Sequence, residues 1–185
     1  MPTPGVARKP RDDVSDAVQH VYARGTWQQD IYLDDRDRGR YLGLLAHVVV
    51  RQRWRCLAYC LMDNHVHLLV ETPAPNLGAG VQRLHGLYAQ SFNRRHRRSG
   101  HLFQGRFGSV RMTSDAQLLL TARYIAHNPV AAGICASPAH WRWSSHAAAV
   151  RDAGPEWLDT ARLLAYFGAD GGDARRRYTD FVALR

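Results

Sequence analysis

The stretch Tyr59-Cys-Leu-Met-Asp-Asn-His-Val-His-Leu-Leu-Val-Glu71 reads as two strands folded back on each other. Asp63-Asn64 is a turn signal, so the β-rich run Trp54–Met62 and the run His65–Glu71 pair antiparallel across it. In a strand, residues two apart share a face. His65 and His67 therefore point one way with Cα atoms ~7 Å apart, and Val66, Leu68 and Val70 point the other way, toward a core. Two neutral imidazoles side by side can converge on one divalent metal. The alternative is a pair of histidines on a half-exposed sheet face.

The remaining elements are read outward from this hairpin. Ala17–Arg24 alternates weakly and reads as a first strand. Asp34–Arg51 reads as a helix, capped by Asp34 or Asp35, with an apolar stripe of Tyr41, Leu44, Leu45, Val48 and Val49. Asn76–Arg95 is a second helix. A basic loop, Gly100–Arg111, leads into a strand around Gly108–Met112. Ser114-x-x-Gln117 is a capping-box pattern that opens a third helix. Pro129 disfavours helical geometry in the residue before it, so that helix is expected to end at Asn128. A C-terminal helix follows near Asp159–Tyr166.

The order β-α-β-β-α-β-α begins as a ferredoxin-like (RRM-like) split pattern of α+β class: an antiparallel sheet with helices on one face and the third helix additional to it. The expected organisation is a flexible basic arm over 1–16, one domain over 17–150, and a helical tail over 151–185.

At 185 residues the chain suits one compact domain. Three cysteines make no disulfide framework and read as reduced thiols. No run of ~18 apolar residues exists, which excludes a helical membrane span. The first residues contain no apolar stretch of a secretory signal, so a cytoplasmic, bacterial and nucleoid-associated location is expected.

The net charge is +9, and it is unevenly placed. Residues 72–151 hold ten arginines and one acid, Asp115, which accounts for +9; the flanking segments nearly cancel. A one-sided excess is the footprint of a polyanion partner, and a solvated basic surface is its bland counterpart. Arg94, Arg95, Arg97 and Arg98 cluster at the end of the second helix, and Arg106 and Arg111 follow in the loop. These six are the candidate DNA contacts. Phe103, Phe107, Trp141 and Trp143 are candidates for stacking on unpaired bases, with core packing expected for at least two of them.

Tyr124 and Asn128, four apart, share one face of the third helix. A phenol can act as a nucleophile, and an amide carbonyl is a hard oxygen ligand suited to Mg²⁺ or Mn²⁺. The alternatives are an ordinary core aromatic and a helix-ending residue.

At these residues the chain resembles the HUH single-tyrosine transposases, and more closely the REP-associated tyrosine transposases. The hairpin quoted above looks like the HUH core. Arg24-Gly25, Phe92-Asn-Arg-Arg95, His101-Leu-Phe-Gln-Gly-Arg-Phe107, Tyr124-Ile-Ala-His-Asn-Pro-Val130 with Ala132-Gly133, and Trp143-Ser-Ser145 agree in the same order. The resemblance covers roughly residues 7–150. It implies metal-dependent cleavage and strand transfer on single-stranded DNA at REP-like hairpins. Tyr124 would form a 5′-phosphotyrosine link, and His65, His67 and Asn128 would hold Mg²⁺ or Mn²⁺. His127 is the rival third ligand, although one residue around a helix turns it ~100° from Asn128.

Three departures stand out. Asp63 replaces a common proline, Thr26-Trp27 replaces a small or polar pair, and Cys56 and Cys60 fall at variable strand positions. A monomer or homodimer is expected, with no membrane partner. The competing readings are a non-catalytic single-stranded nucleic-acid-binding module of the same fold, and a hydrolytic metal nuclease.

Overall fold

The computed structural model describes residues 14–184. The expected basic arm falls almost wholly outside them. The described chain runs β1 (Ala17–Arg24), α1 (Asp35–Gln52), β2 (Arg55–Leu61), β3 (His65–Thr72), α2 (Leu77–Arg95), β4 (Gly108–Arg111), α3 (Asp115–Ala131), α4 (His146–Arg151), α5 (Thr160–Leu164) and α6 (Gly171–Ala183). The four strands form one antiparallel sheet in the order β2-β3-β1-β4, as the split pattern requires.

Period-two alternation gives this sheet two different faces. Val21 and Ala23 of β1 and Val66, Leu68 and Val70 of β3 enter one core, under Tyr41, Leu44, Leu45, Val48 and Val49 of α1 and Val81, Leu84, Tyr88 and Phe92 of α2. Asp34 caps α1 by accepting from the Asp37 amide at 3.0 Å.

The second core lies on the other face. It holds Leu57, Ala58, Cys60 and Leu69 from the sheet, with Leu118, Ala122 and Ile125 of α3 and Leu163, Leu164, Tyr178 and Val182 of α5 and α6. A bulge between Cys56 and Ala58 turns Leu57 and Ala58 to this same side. Apart from Arg55 at its start, β2 is buried throughout, which is why its sequence is continuously apolar.

The helices expected on one face are α1 and α2. The additional helix α3 and the C-terminal helices cover the other. Leu158 even bridges to Cys56 in parallel. Helix α4 went unread in the sequence, and α6 was covered only by the expectation of a helical tail over 151–185, without bounds of its own. In α6, Ala174, Tyr178, Phe181 and Val182 form a helical stripe, but a Gly-Gly start and three successive arginines obscure it.

The expected end of α3 at Asn128 is corrected: the helix runs to Ala131 with Pro129 inside. Pro129 stands in the last turn, so only one helical bond is lost before the end. The helix then closes on a Schellman pattern. The Ile134 amide bonds the Pro129 carbonyl at 2.9 Å, the Gly133 amide bonds the Val130 carbonyl at 2.9 Å, and Gly133 takes φ +71°. At the other end, Ser114 accepts from the Gln117 amide at 3.2 Å. Gln117 reaches back to Thr113 rather than to Ser114. Among the described residues, no helix is long and apolar enough to cross a membrane.

Candidate active site

The polar half of the second face is built where β1 and β3 run side by side. Register pairs Tyr22 with His67 and Arg24 with His65. His20, Tyr22 and Arg24 therefore share the face of His65 and His67. Gly108 makes room for Tyr22, because a Cβ there would stand 2.2 Å from the tyrosine Cζ. Across from the strands, α3 presents Tyr124 and Asn128 one turn apart. The structure thus brings His65, His67, Tyr124 and Asn128 to one place.

His65 meets Asn128 directly, with Nε2 3.1 Å from Oδ1. The ring of Tyr124 stands edge-on to His67, centroids 5.3 Å apart, and to His20 at 6.1 Å. Tyr124 is 54% exposed, so its phenol can be reached from solvent. His67 is buried, and its Nδ1 lies 2.9 Å from Nε2 of His20, with the two rings stacked.

Burial pushes His67 down to about 3, helped by the charges of His20, His65 and Arg24. Burial alone pushes His20 down to about 4. Burial also lowers His65, partly opposed by Asn128. All three imidazoles are therefore neutral near pH 7, the form that ligates metal.

Proton counting around His65 tests whether a cation fits. The Asn64 amide nitrogen donates to the Gln28 carbonyl at 3.1 Å, which turns Oδ1 of Asn64 to Nδ1 of His65 at 2.7 Å. The Asn128 amide nitrogen donates to the Tyr124 carbonyl at 3.1 Å, which turns its Oδ1 to Nε2 of His65. Both neighbours thus offer His65 oxygen lone pairs, and a neutral imidazole has one N–H. With the proton on Nδ1 for Asn64, the Nε2 and Asn128 lone pairs face each other, and a cation resolves that conflict. Among the described residues, no group of three His, Cys, Asp or Glu side chains is placed to hold a metal. The oxygen nearest the His65 Nε2 is the amide oxygen of Asn128.

His127, the rival ligand, is turned away: its Nε2 lies against the Val182 carbonyl of α6. Arg123 likewise reaches the Leu184 carbonyl and covers Phe181. The C-terminal segment therefore braces α3 from behind. The Asp63 carboxylate pairs with Arg38.

The six arginines separate into two groups. Arg95 forms ion pairs with Asp34 and Asp37 at 2.5 Å each, tying the end of α2 to the start of α1. Arg98 bonds Gln29 and lies over Phe92. Arg94, Arg97, Arg106 and Arg111 are exposed and make no ion pair among the described residues.

The four candidate stacking aromatics all take part in packing. Phe107 is buried, Phe103 stacks on His85 at 4.3 Å, Trp141 bonds the Leu61 carbonyl at 3.1 Å, and Trp143 packs against the first core.

The sequence reading missed His20, and noted Arg24 only within the Arg24-Gly25 resemblance, with no place in the site. Their signal was their position on β1, two and six residues along one face from Val18, but its meaning depends on which strand lies beside β3.

Comparison with known proteins bears on this geometry. The family described as "Transposase IS200 like" matches residues 13–128, more than half of the chain, and the chain belongs to it. No curated protein matches. A solved REP-associated tyrosine transposase bound to a REP hairpin superposes with a TM-score of 0.66 at 14% identity, over 81% of this chain and 89% of that one. That likeness is one of fold. A Deinococcus radiodurans R1 protein, provisionally described as a transposase, reaches a TM-score of 0.45 at 19% identity over 64% of this chain and 95% of that one, and carries no argument.

Proposed function

We propose that this IS200-like transposase cuts and rejoins single-stranded DNA at hairpins through a covalent link to Tyr124. The lone-pair conflict at His65 is the observation that carries the reading, because a divalent cation resolves it beside an accessible phenol. The fold it shares with a hairpin-bound REP-associated transposase supports hairpin DNA as the substrate.

His65 and His67, with Asn128 as the oxygen ligand, would hold Mg²⁺ or Mn²⁺. When bound, such a cation supplies Lewis-acid polarisation of a phosphate oxygen. His20 acts on His67. Accepting the Nδ1–H of His67 through its own Nε2 fixes the tautomer and leaves Nε2 of His67 with its lone pair free. Asn64 does the same for His65 through Nδ1. Arg24, opposite His65, adds fixed positive charge on the face where a phosphate would lie.

The Tyr124 oxygen attacks phosphorus as its phenolic proton is lost. The bond from phosphorus to the 3′ oxygen breaks, and that oxygen takes up a proton as the released 3′-hydroxyl. The 5′ phosphate stays on the tyrosine. Attack on that linkage by a 3′-hydroxyl reverses the bond changes and reseals a strand, so no nucleotide cofactor is consumed. Exposed Arg94, Arg97, Arg106 and Arg111 would neutralise backbone phosphates.

The test uses hairpin oligonucleotides with unpaired flanks, labelled at either end, with Mn²⁺ or chelator. The reading requires the 3′ label to travel with protein on a denaturing gel while the 5′ label leaves on a free fragment ending in a 3′-hydroxyl. Two free fragments, one with a 5′ phosphate, would instead mark a hydrolytic nuclease. Binding with no cleavage in any metal would mark a binding module.

A further inference from the structure

Trp27 follows β1 in the turn Thr26–Gln28 and is 93% exposed, the most exposed of the large apolar side chains. It takes no part in either core. Its backbone sits at φ 55°, ψ 29°, and Gln28 follows at φ 59°. Two successive residues with side chains in left-handed geometry are costly, and glycine would be the easy occupant.

The turn is nevertheless held firmly. The Gly25 amide bonds the Asn64 carbonyl at 2.9 Å, the Thr26 amide bonds the Leu102 carbonyl at 3.0 Å, and the Asn64 side chain bonds the Gln28 carbonyl at 3.1 Å. Gly25 allows the tight closure, since a Cβ there would meet the Gln29 carbonyl at 2.1 Å. An indole is thus presented to water on a rigid turn stitched to Asn64, the neighbour of His65. Arg24 precedes the turn, and Arg98 is docked on it through Gln29.

We propose that Trp27 is a stacking platform for an unpaired base of the DNA strand, beside the site of cleavage. A rigid aromatic face flanked by arginines is the chemistry that holds single strands without reading their sequence. The proposal rests on the proposed reaction for its ligand, single-stranded DNA. It replaces the four inward-packed aromatics by one that faces solvent.

Binding is measured by fluorescence anisotropy in a Tyr124→Phe background, which prevents cleavage. The probe is a hairpin with unpaired thymidines on both flanks, and a blunt duplex serves as control. Trp27→Gly should weaken hairpin binding by about 5- to 150-fold and leave duplex binding unchanged. Trp27→Phe should restore most of the loss. An abasic nucleotide at one flank position should weaken the parent but add nothing to Trp27→Gly.

Trp27→Gly should melt at or above the parent, because glycine relieves the left-handed turn. Hairpin affinity within twofold of the parent, an equal loss on duplex, or a large fall in melting temperature would each overturn the proposal. A parent that binds no hairpin would overturn the proposed function along with it. A parent that binds normally beside an unaffected Trp27→Gly would overturn the stacking role alone.

Discussion

On β3, Val66, Leu68 and Val70 point into the core under α1 and α2, while His65 and His67 point to the face that α3 covers. The first side is dry and apolar. The second is apolar toward β2 and around Leu69 and Val18, where Leu57, Ala58 and Cys60 meet α3 and the C-terminal helices; elsewhere over β1 and β3 it carries His20, Tyr22, Arg24 and the two histidines. One strand therefore faces the first core with Val66, Leu68 and Val70 and presents His65 and His67 to the candidate site, before Leu69 joins the second core. Alternation lets the two sides be altered separately, and substitutions on opposite faces should have effects of different kinds.

The largest separation is expected at Tyr124. Tyr124→Phe should lower strand cleavage by more than about a thousandfold, since it removes the proposed nucleophile. Its melting temperature should stay with the parent, because the ring is half exposed. A variant that still cuts would break the division of labour at its most important residue.

The complementary change is Leu68→Ala, on the dry side of the same strand. Leu68 is fully buried, and its truncation should cost about 2–5 kcal/mol in denaturant unfolding. Under conditions where the variant remains folded, metal binding should be unchanged.

The apolar part of the second face offers a pH test. His146 is buried against the Tyr178 hydroxyl at 3.0 Å, and burial first, then the charge of His127, pushes it down to about 4. Its folded value lies below its unfolded value of about 6.5, so the unfolded chain takes up the proton first as pH falls. Its contribution to stability is complete above pH 6.5 and is lost toward pH 4, by roughly 3 kcal/mol at most. Unfolding measured across that range should show a shallower pH dependence for His146→Gln than for the parent.

The smallest effect is expected from His20→Ala. It removes the partner of His67 Nδ1 without touching a proposed ligand nitrogen. Mn²⁺ affinity by titration calorimetry should fall by about 10- to 100-fold. Unchanged affinity would show that His67 needs no help to present its Nε2.

What the sequence disclosed follows the range of each signal. The His65-Val66-His67 alternation and the Tyr124-to-Asn128 spacing are local periodicities, and both were legible. The places of His20 and Arg24 beside His67 and His65 were not, because they depend on the β1–β3 register, which no short stretch encodes. The arginine cluster was visible as charge, but the ion pairs of Arg95 with Asp34 and Asp37 join residues about sixty positions apart. Pro129 was read as the end of α3 from a local rule, and the Gly133 closure a few residues later was stronger. Helix α6 was legible only as part of a helical tail over 151–185, because its Gly-Gly start and three successive arginines hide its apolar stripe.

The most direct test of the central claim is to map the covalent product. Protein incubated with a hairpin oligonucleotide and Mn²⁺ is digested and its peptides sequenced by mass spectrometry. A nucleotide carried on Tyr124 through a 5′ phosphate, absent in chelator and absent from His65→Ala, is the predicted result. Cleaved strands with no peptide adduct, or an adduct on another residue, would contradict the account.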